Sequence, residues 1–190
     1  MTTKADLDAV IAAALADRDL PYQRTAPGAF LVSLPGTHKL GTACWLVVGD
    51  HALLVEAFVM RQPDESKEQL YDFLLKRNSR MYGVAFCLDD AGDVYLVGRA
   101  PLAAVTADEI DRLLGSVLTY ADENFDTMLQ IGFGSSIRRE WAWRVKRGES
   151  LANLTAFARF ADPDRSAAPD GLVAPDRPGG PGQGEQGGEA

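Results

Sequence analysis

The stretch that decides the fold is "LLKRNSRMYGVAFCLDDAGDVYLVGRAPL", residues 74–102. It starts in a helical pattern, passes Asn78, and continues into two apolar runs of strand length, "YGVAFCL" and "VYLVGR". Between the runs lies "DDAGD", where Gly92 can take the positive φ of a tight turn and the aspartates can bond the turn backbone. Two strands joined directly, with no helix between them, predict antiparallel pairing.

Working outward, Leu7, Val10, Ile11, Ala14 and Leu15 recur at helical spacing and predict a helix over residues 4–17, closed by Pro21. "AFLVSL" (29–34), "ACWLVV" (43–48) and "ALLVEAFVM" (52–60) then read as three strands, the last two joined by a hairpin at "GDH". Asp64 is placed to cap a helix over 65–79, with Leu70, Tyr71, Leu74 and Leu75 as its apolar face. Thr106 and Glu109 have the spacing of a capping box, and Val105 and Ile110 that of a hydrophobic staple. The helix they open carries Ile110, Leu113, Leu114, Val117, Leu118, Ala121, Phe125 and Met128, and "GFG" (132–134) is expected to end it. "SSIRREWAWRVK" (135–146) fits a helix through Ile137, Trp141 and Val145, or a strand through Trp141, Trp143 and Val145. A Glu140–Arg144 pair one turn apart favours the helix. A last short helix is expected over 150–160.

These elements give an α+β fold class: an antiparallel sheet of about five strands with helices packed on one side, in the order α-β-β-β-α-β-β-α-(α). At 190 residues the chain suits one domain, expected over residues 1–162. Residues 163–190 hold five prolines, seven glycines, five acids and two bases, which predicts a disordered acidic tail. The formal net charge of −8 argues against general affinity for nucleic acid or an anionic membrane. The first residues do not resemble a secretory signal and no run approaches a membrane span, so the expected location is cytoplasmic. Cys44 and Cys87 sit in apolar runs and read as buried free thiols.

The element order, with Asn78, the "DDAGD" turn and the later "RREWAWRVKRGESLANL" (138–154), resembles the YbjN-domain proteins, especially their actinobacterial members, over roughly residues 5–160. Those are described as bacterial sensory transduction regulators with a fold similar to type III secretion chaperones. The resemblance implies that fold, and a non-enzymatic role as a chaperone-like or regulatory factor that binds another protein, often as a homodimer. It carries over no catalytic residue.

The residues themselves assign no catalytic, metal or cofactor site. Asp89, Asp90 and Asp93 could face a divalent cation, but an EF-hand needs ligands over a longer stretch ending in Glu, and a hairpin turn accounts for them. "GFGSS" (132–136) lacks the third glycine or the lysine of a phosphate loop and the spacing of a nucleophile elbow. His38 and His51 read as solvated.

The candidate partner-binding residues are Arg138, Arg139, Trp143, Arg144, Lys146 and Arg147, five bases within ten residues of an acidic chain. On a helix, Arg139, Trp143, Lys146 and Arg147 share a face opposite Ile137, Trp141 and Val145, leaving Trp141 in the core and Trp143 as a candidate anchor. Four alternatives stand beside this: a solvated basic helix whose arginines pair with the acidic body, a local nucleic-acid contact, a small-molecule sensor or enzyme with a pocket between sheet and helix, and a patch that receives the chain's own acidic tail.

Overall fold

Alternating apolar residues give each central strand one inward face, and the registers bring those faces together. The computed structural model describes residues 3–151 and Ala158. Its elements are α1 (Lys4–Asp17), β1 (Tyr22–Ala26), β2 (Ala29–Pro35), β3 (Gly41–Val48), β4 (Ala52–Met60), α2 (Lys67–Asn78), β5 (Ala85–Leu88), β6 (Val94–Pro101) and α3 (Ala107–Arg147), with a short 3-10 turn at Leu102–Ala104. The strands form one antiparallel sheet in the order β1-β2-β3-β4-β6-β5. Val32 opposes Cys44, Cys44 opposes Ala57, and Ala57 opposes Leu96, all four buried. Leu7, Ile11 and Leu15 of α1, Leu70 and Leu74 of α2, and Ile110 to Met128 of α3 close over this face. Trp45, Phe58 and Arg99 lie on the opposite, uncovered face.

The sheet has six strands where about five were expected. The additional strand is β1, "YQRTA", whose five residues are all exposed. It is an edge strand held by backbone pairing to β2 and by the Tyr22 ring against Phe30, centroids 5.9 Å apart. α2 begins at Lys67, and its N-cap is Ser66 in a left-handed conformation (φ 51°), without a side-chain cap. Asp64 does not cap it: it lies two residues before the N-cap, and its carboxylate turns to Arg61 instead. Leu75 points away from the body, 69% exposed, so the apolar face of α2 is Leu70 and Leu74 with Tyr71 at its edge.

The hairpin turn forms as read. Gly92 adopts φ +84°, the amide of Asp89 donates to the Asp93 carbonyl, and the amide of Asp93 donates to the Asp89 carboxylate at 2.8 Å. The start of α3 is capped by Thr106, whose hydroxyl accepts from Glu109 N at 3.2 Å, and Val105 and Ile110 are buried beside it. The Glu109 carboxylate accepts from the Tyr82 hydroxyl at 3.0 Å, a partner outside the helix.

The largest departure is the length of α3. It runs 41 residues without a break, straight through "GFG". The glycines serve close approach here: a Cβ on Gly132 would sit 2.8 Å from Pro63 Cβ. The amides of Asp64 and Glu65 donate to the Gly132 carbonyl at 3.0 and 3.2 Å, and Glu65 Oε1 accepts the Ser135 amide at 2.6 Å. A loop bound this tightly to the helix flank offsets the poor helix propensity of Gly132 and Gly134. Cys44 is buried as expected, but Cys87 is exposed, because it lies on the uncovered face of the edge strand β5. The expected helix over 150–160 and the expected tail lie outside the described residues, apart from Ser150, Leu151 and Ala158.

Candidate partner-binding groove

A β-bulge between Phe58 and Met60 turns both Val59 and Met60 inward at the end of β4. The chain then passes through Arg61 and Pro63 to the flank of α3. An open groove forms between this corner and the second half of α3, with a volume of about 540 Å³. Met60, Phe125, Leu129, Phe133 and Ile137 make its walls, the end of β4 at Phe58 borders it, and Lys39, Arg61 and Glu140 stand at its rim.

The rim cations are tied to the frame. Lys39 Nζ donates to the Gly41 carbonyl (3.1 Å), Thr42 Oγ1 (3.2 Å) and the Phe58 carbonyl (3.1 Å), and its partial burial lowers its pKa. Arg61 forks onto Asp64 at 2.7 and 2.9 Å, with its guanidinium 4.2 Å from the Phe133 ring centroid. Hydrogen bonding between the two raises the Arg61 pKa and lowers that of Asp64, which also accepts from Ser136 Oγ at 3.3 Å. Bonding to Ser135 holds the Glu65 carboxyl below its usual range. Beside the groove, one oxygen of Asp122 accepts the successive amides of Thr37, His38 and Lys39 at 2.9, 2.8 and 2.8 Å. His38 Nδ1 meets Asp126 Oδ2 at 2.6 Å, so this histidine has a carboxylate partner, and His51 is exposed in its turn.

Beyond Ile137 the apolar stripe of α3 outruns the body. Trp141 is half-buried rather than core, and Val145 is 57% exposed. The six candidate residues lie on this segment, which is helical. Arg147 sits over the Trp143 ring at 4.8 Å, and Trp143 is 46% exposed, so these two share a face. Arg144 Nε pairs with Glu140 at 2.6 Å, and its Nη1 donates to the Ser150 carbonyl at 3.2 Å. Arg138 and Arg139 donate to the hydroxyls of Ser135 and Ser136, Arg147 pairs with Glu149 at 3.1 Å, and Lys146 is exposed. These bonds run to neighbouring residues of α3 and of the turn just after it.

The sequence reading allowed a pocket between sheet and helix as an alternative but did not locate this groove. Phe125, Leu129 and Phe133 look like core in one dimension, and only the meeting of "FVMRQPD" (58–64) with "GFGSS" leaves them open on one side. The signal available was the Pro-containing break directly after a long strand. Among the described residues, no three His, Cys, Asp or Glu side chains converge as metal ligands would. No helix among them is long and apolar enough to cross a membrane.

Comparison with known proteins adds relatives to this geometry. Residues 7–130 match the YbjN family, described as "Putative bacterial sensory transduction regulator". An uncharacterized protein of Mycobacterium tuberculosis is 56% identical over 140 residues, covering 74% of this chain and 76% of its own. One from Mycobacterium leprae is 54% identical over 132 residues, covering 70% and 72%. Among solved structures, a chain of the ExsC–ExsE complex is similar with a TM-score of 0.50 at 20% identity, covering 67% of this chain and 97% of that one. The Yersinia pestis type III secretion chaperone SycH, solved with a fragment of YscM2, is similar with a TM-score of 0.47 at 17% identity, covering 60% and 96%. At 20% identity the likeness to the ExsC–ExsE chain is one of fold. Matched across the whole sheet and most of α3, the chain belongs to the YbjN family.

Proposed function

We propose that this protein is non-enzymatic and acts in the cytoplasm by binding another protein, as a chaperone-like or regulatory factor, in the form of a homodimer. The observation that carries the reading is the groove, whose aromatic and aliphatic walls are open while its rim charges are engaged with the frame. Catalysis needs polar groups aimed at a reacting atom. Here Lys39 and Arg61 hold the walls in place instead. An apolar channel with rigid walls suits side chains presented by an amphipathic partner segment. The solved structure that this fold resembles, a complex of two proteins, supports an interaction role.

Arg138, Arg139, Trp143, Arg144, Lys146 and Arg147 continue along α3 beyond the groove. A partner seated against Leu129 and Phe133 with acidic residues at one end reaches them, and Trp143 serves as an aromatic anchor.

The test is a photo-crosslinking amino acid at Leu129 in the native cytoplasm. A discrete adduct with one protein, weakened by Trp143→Ala with Arg144→Glu, is the expected result. Absence of any specific adduct, or saturable turnover of a metabolite by the purified chain, would sink the reading. Sedimentation velocity addresses the homodimer, and a monomer at micromolar concentration removes that part.

A further inference from the structure

An antiparallel sheet with one face in water alternates apolar and polar residues, the polar ones pointing outward. The middle strands here do not. "ACWLVV" in β3 and "ALLVEAFVM" in β4 are nearly continuous apolar runs, the pattern of strands covered on both sides. The helices cover one side only.

The registers gather the outward residues into one patch. Leu31 opposes Trp45, Trp45 opposes Glu56, and Glu56 opposes Val97, a row that crosses four strands. In the next row Val47 opposes Leu54, and Leu54 opposes Arg99. Phe58 meets Tyr95 edge-to-face, ring centroids 5.5 Å apart, and Trp45 and Phe58 are 37% and 40% exposed. Four strands about 4.8 Å apart and four outward positions along each make a face of on the order of 500 Å² in projection. Two such faces together reach about 1,000 Å², the lower bound of a specific interface, and the relief of the aromatic rings adds to it.

Two charges stand inside the patch. Glu56 is half-buried and Arg99 exposed, diagonal neighbours on adjacent strands, and neither has an ion-pair or side-chain hydrogen-bond partner among the described residues. One anion beside one cation makes the face complementary to itself. A two-fold interface sets a surface against its own copy, so stacking two of these faces brings Glu56 of each copy to Arg99 of the other. A partner of a single charge sign would satisfy one of the two and leave the other without a counter-charge where water is excluded, which is strongly unfavourable.

We propose that the outer face of β2, β3, β4 and β6 is where two copies of this chain pair, with two reciprocal Glu56–Arg99 ion pairs set among Trp45, Leu54 and Val97. The inference rests on the homodimer part of the reading above and not on its partner part. The groove lies on the helix side and stays open in the dimer, one to each copy.

Sedimentation velocity of the full chain at micromolar concentration tests it. The parent is expected to be a dimer. Glu56→Arg and Arg99→Glu each set like charges against one another across the two-fold, and each is expected to sediment as a monomer. In an equal mixture of the two variants every introduced charge faces its opposite again, and a dimer is expected to return. Far-ultraviolet circular dichroism matching the parent shows that the variants are folded. Single variants that stay dimeric, or folded variants whose mixture stays monomeric, overturn the interface while the homodimer stands. A monomeric parent overturns both, and photo-crosslinking from Leu129 still decides the partner reading separately.

Discussion

The side-chain amide of Asn78 brackets the backbone of Phe86, with Nδ2 donating to its carbonyl at 3.1 Å and Oδ1 accepting from its amide at 2.8 Å. β5 is the four-residue edge of the sheet, and Asn78 gives Phe86 the rung that a neighbouring strand would otherwise supply. The same bonds fasten the end of α2 to the sheet. Asn78→Ala leaves both partly buried backbone groups unpaired, so a loss of about 2 kcal/mol is expected. Urea denaturation measures it, and an unshifted midpoint would count against this role for Asn78.

Two glycines should respond in opposite directions. A Cβ on Gly98 would lie 2.2 Å from the Gly83 carbonyl oxygen and 2.8 Å from Val84 Cγ1, where the backbone has to move. Gly98→Ala is expected to cost about 1–3 kcal/mol. Gly115 is exposed on α3 with nothing within 4 Å of its would-be Cβ. Gly115→Ala should stabilise by up to about 1 kcal/mol, because alanine is the better helix former. Thermal melting of the pair decides it.

Asp122 gives the protein an acid-sensitive anchor. Burial pushes its pKa up, but the amides of Lys39, Thr37 and His38 outweigh that and hold it below the usual value. A carboxylate with a depressed folded pKa contributes stability that is present above its unfolded pKa and lost as pH falls through the folded one. Asp122→Asn should therefore flatten the decline in stability below about pH 5 while lowering stability at neutral pH. Equal acid slopes in the two proteins would contradict this.

The two thiols should behave differently. Burial pushes Cys44 up to about 12, and it lies wholly inside the sheet's covered face, whereas Cys87 is exposed. A thiol reagent at neutral pH is expected to modify Cys87 promptly and to reach Cys44 only after denaturation. Mass spectrometry of the native protein should show a single adduct; two adducts without unfolding would place Cys44 within reach of solvent.

The sequence showed most where burial and periodicity coincide. β2, β3 and β4 alternate strongly, and Thr106 with Val105 marks the start of α3 by local rules alone. β1 could not be read that way, since none of its residues is buried and its pairing comes from β2. α3 passes Gly132 because Pro63 and Glu65, nearly seventy positions earlier, occupy its flank. Asp64 looked like a cap, but α2 starts at Lys67 and leaves it two residues short of the N-cap, paired with Arg61. At the candidate site, the composition of the basic segment and its helical spacing were visible. The exposure of Val145 and the partial burial of Trp141 depend on where the body ends, which no local pattern encodes.

Because α3 is unbroken from Ala107 to Arg147, it behaves as a lever about 60 Å long with its fulcrum where Pro63 meets Gly132. One arm is bedded in the sheet, and the other carries the basic end into solvent. A pivot of about 5° at the fulcrum swings Arg147 through roughly 2 Å, given the rise of 1.5 Å per residue over the free arm. A change in the grip of Glu65 on Ser135 would therefore be felt at a distance, as a change in the aim of the cations rather than in their number.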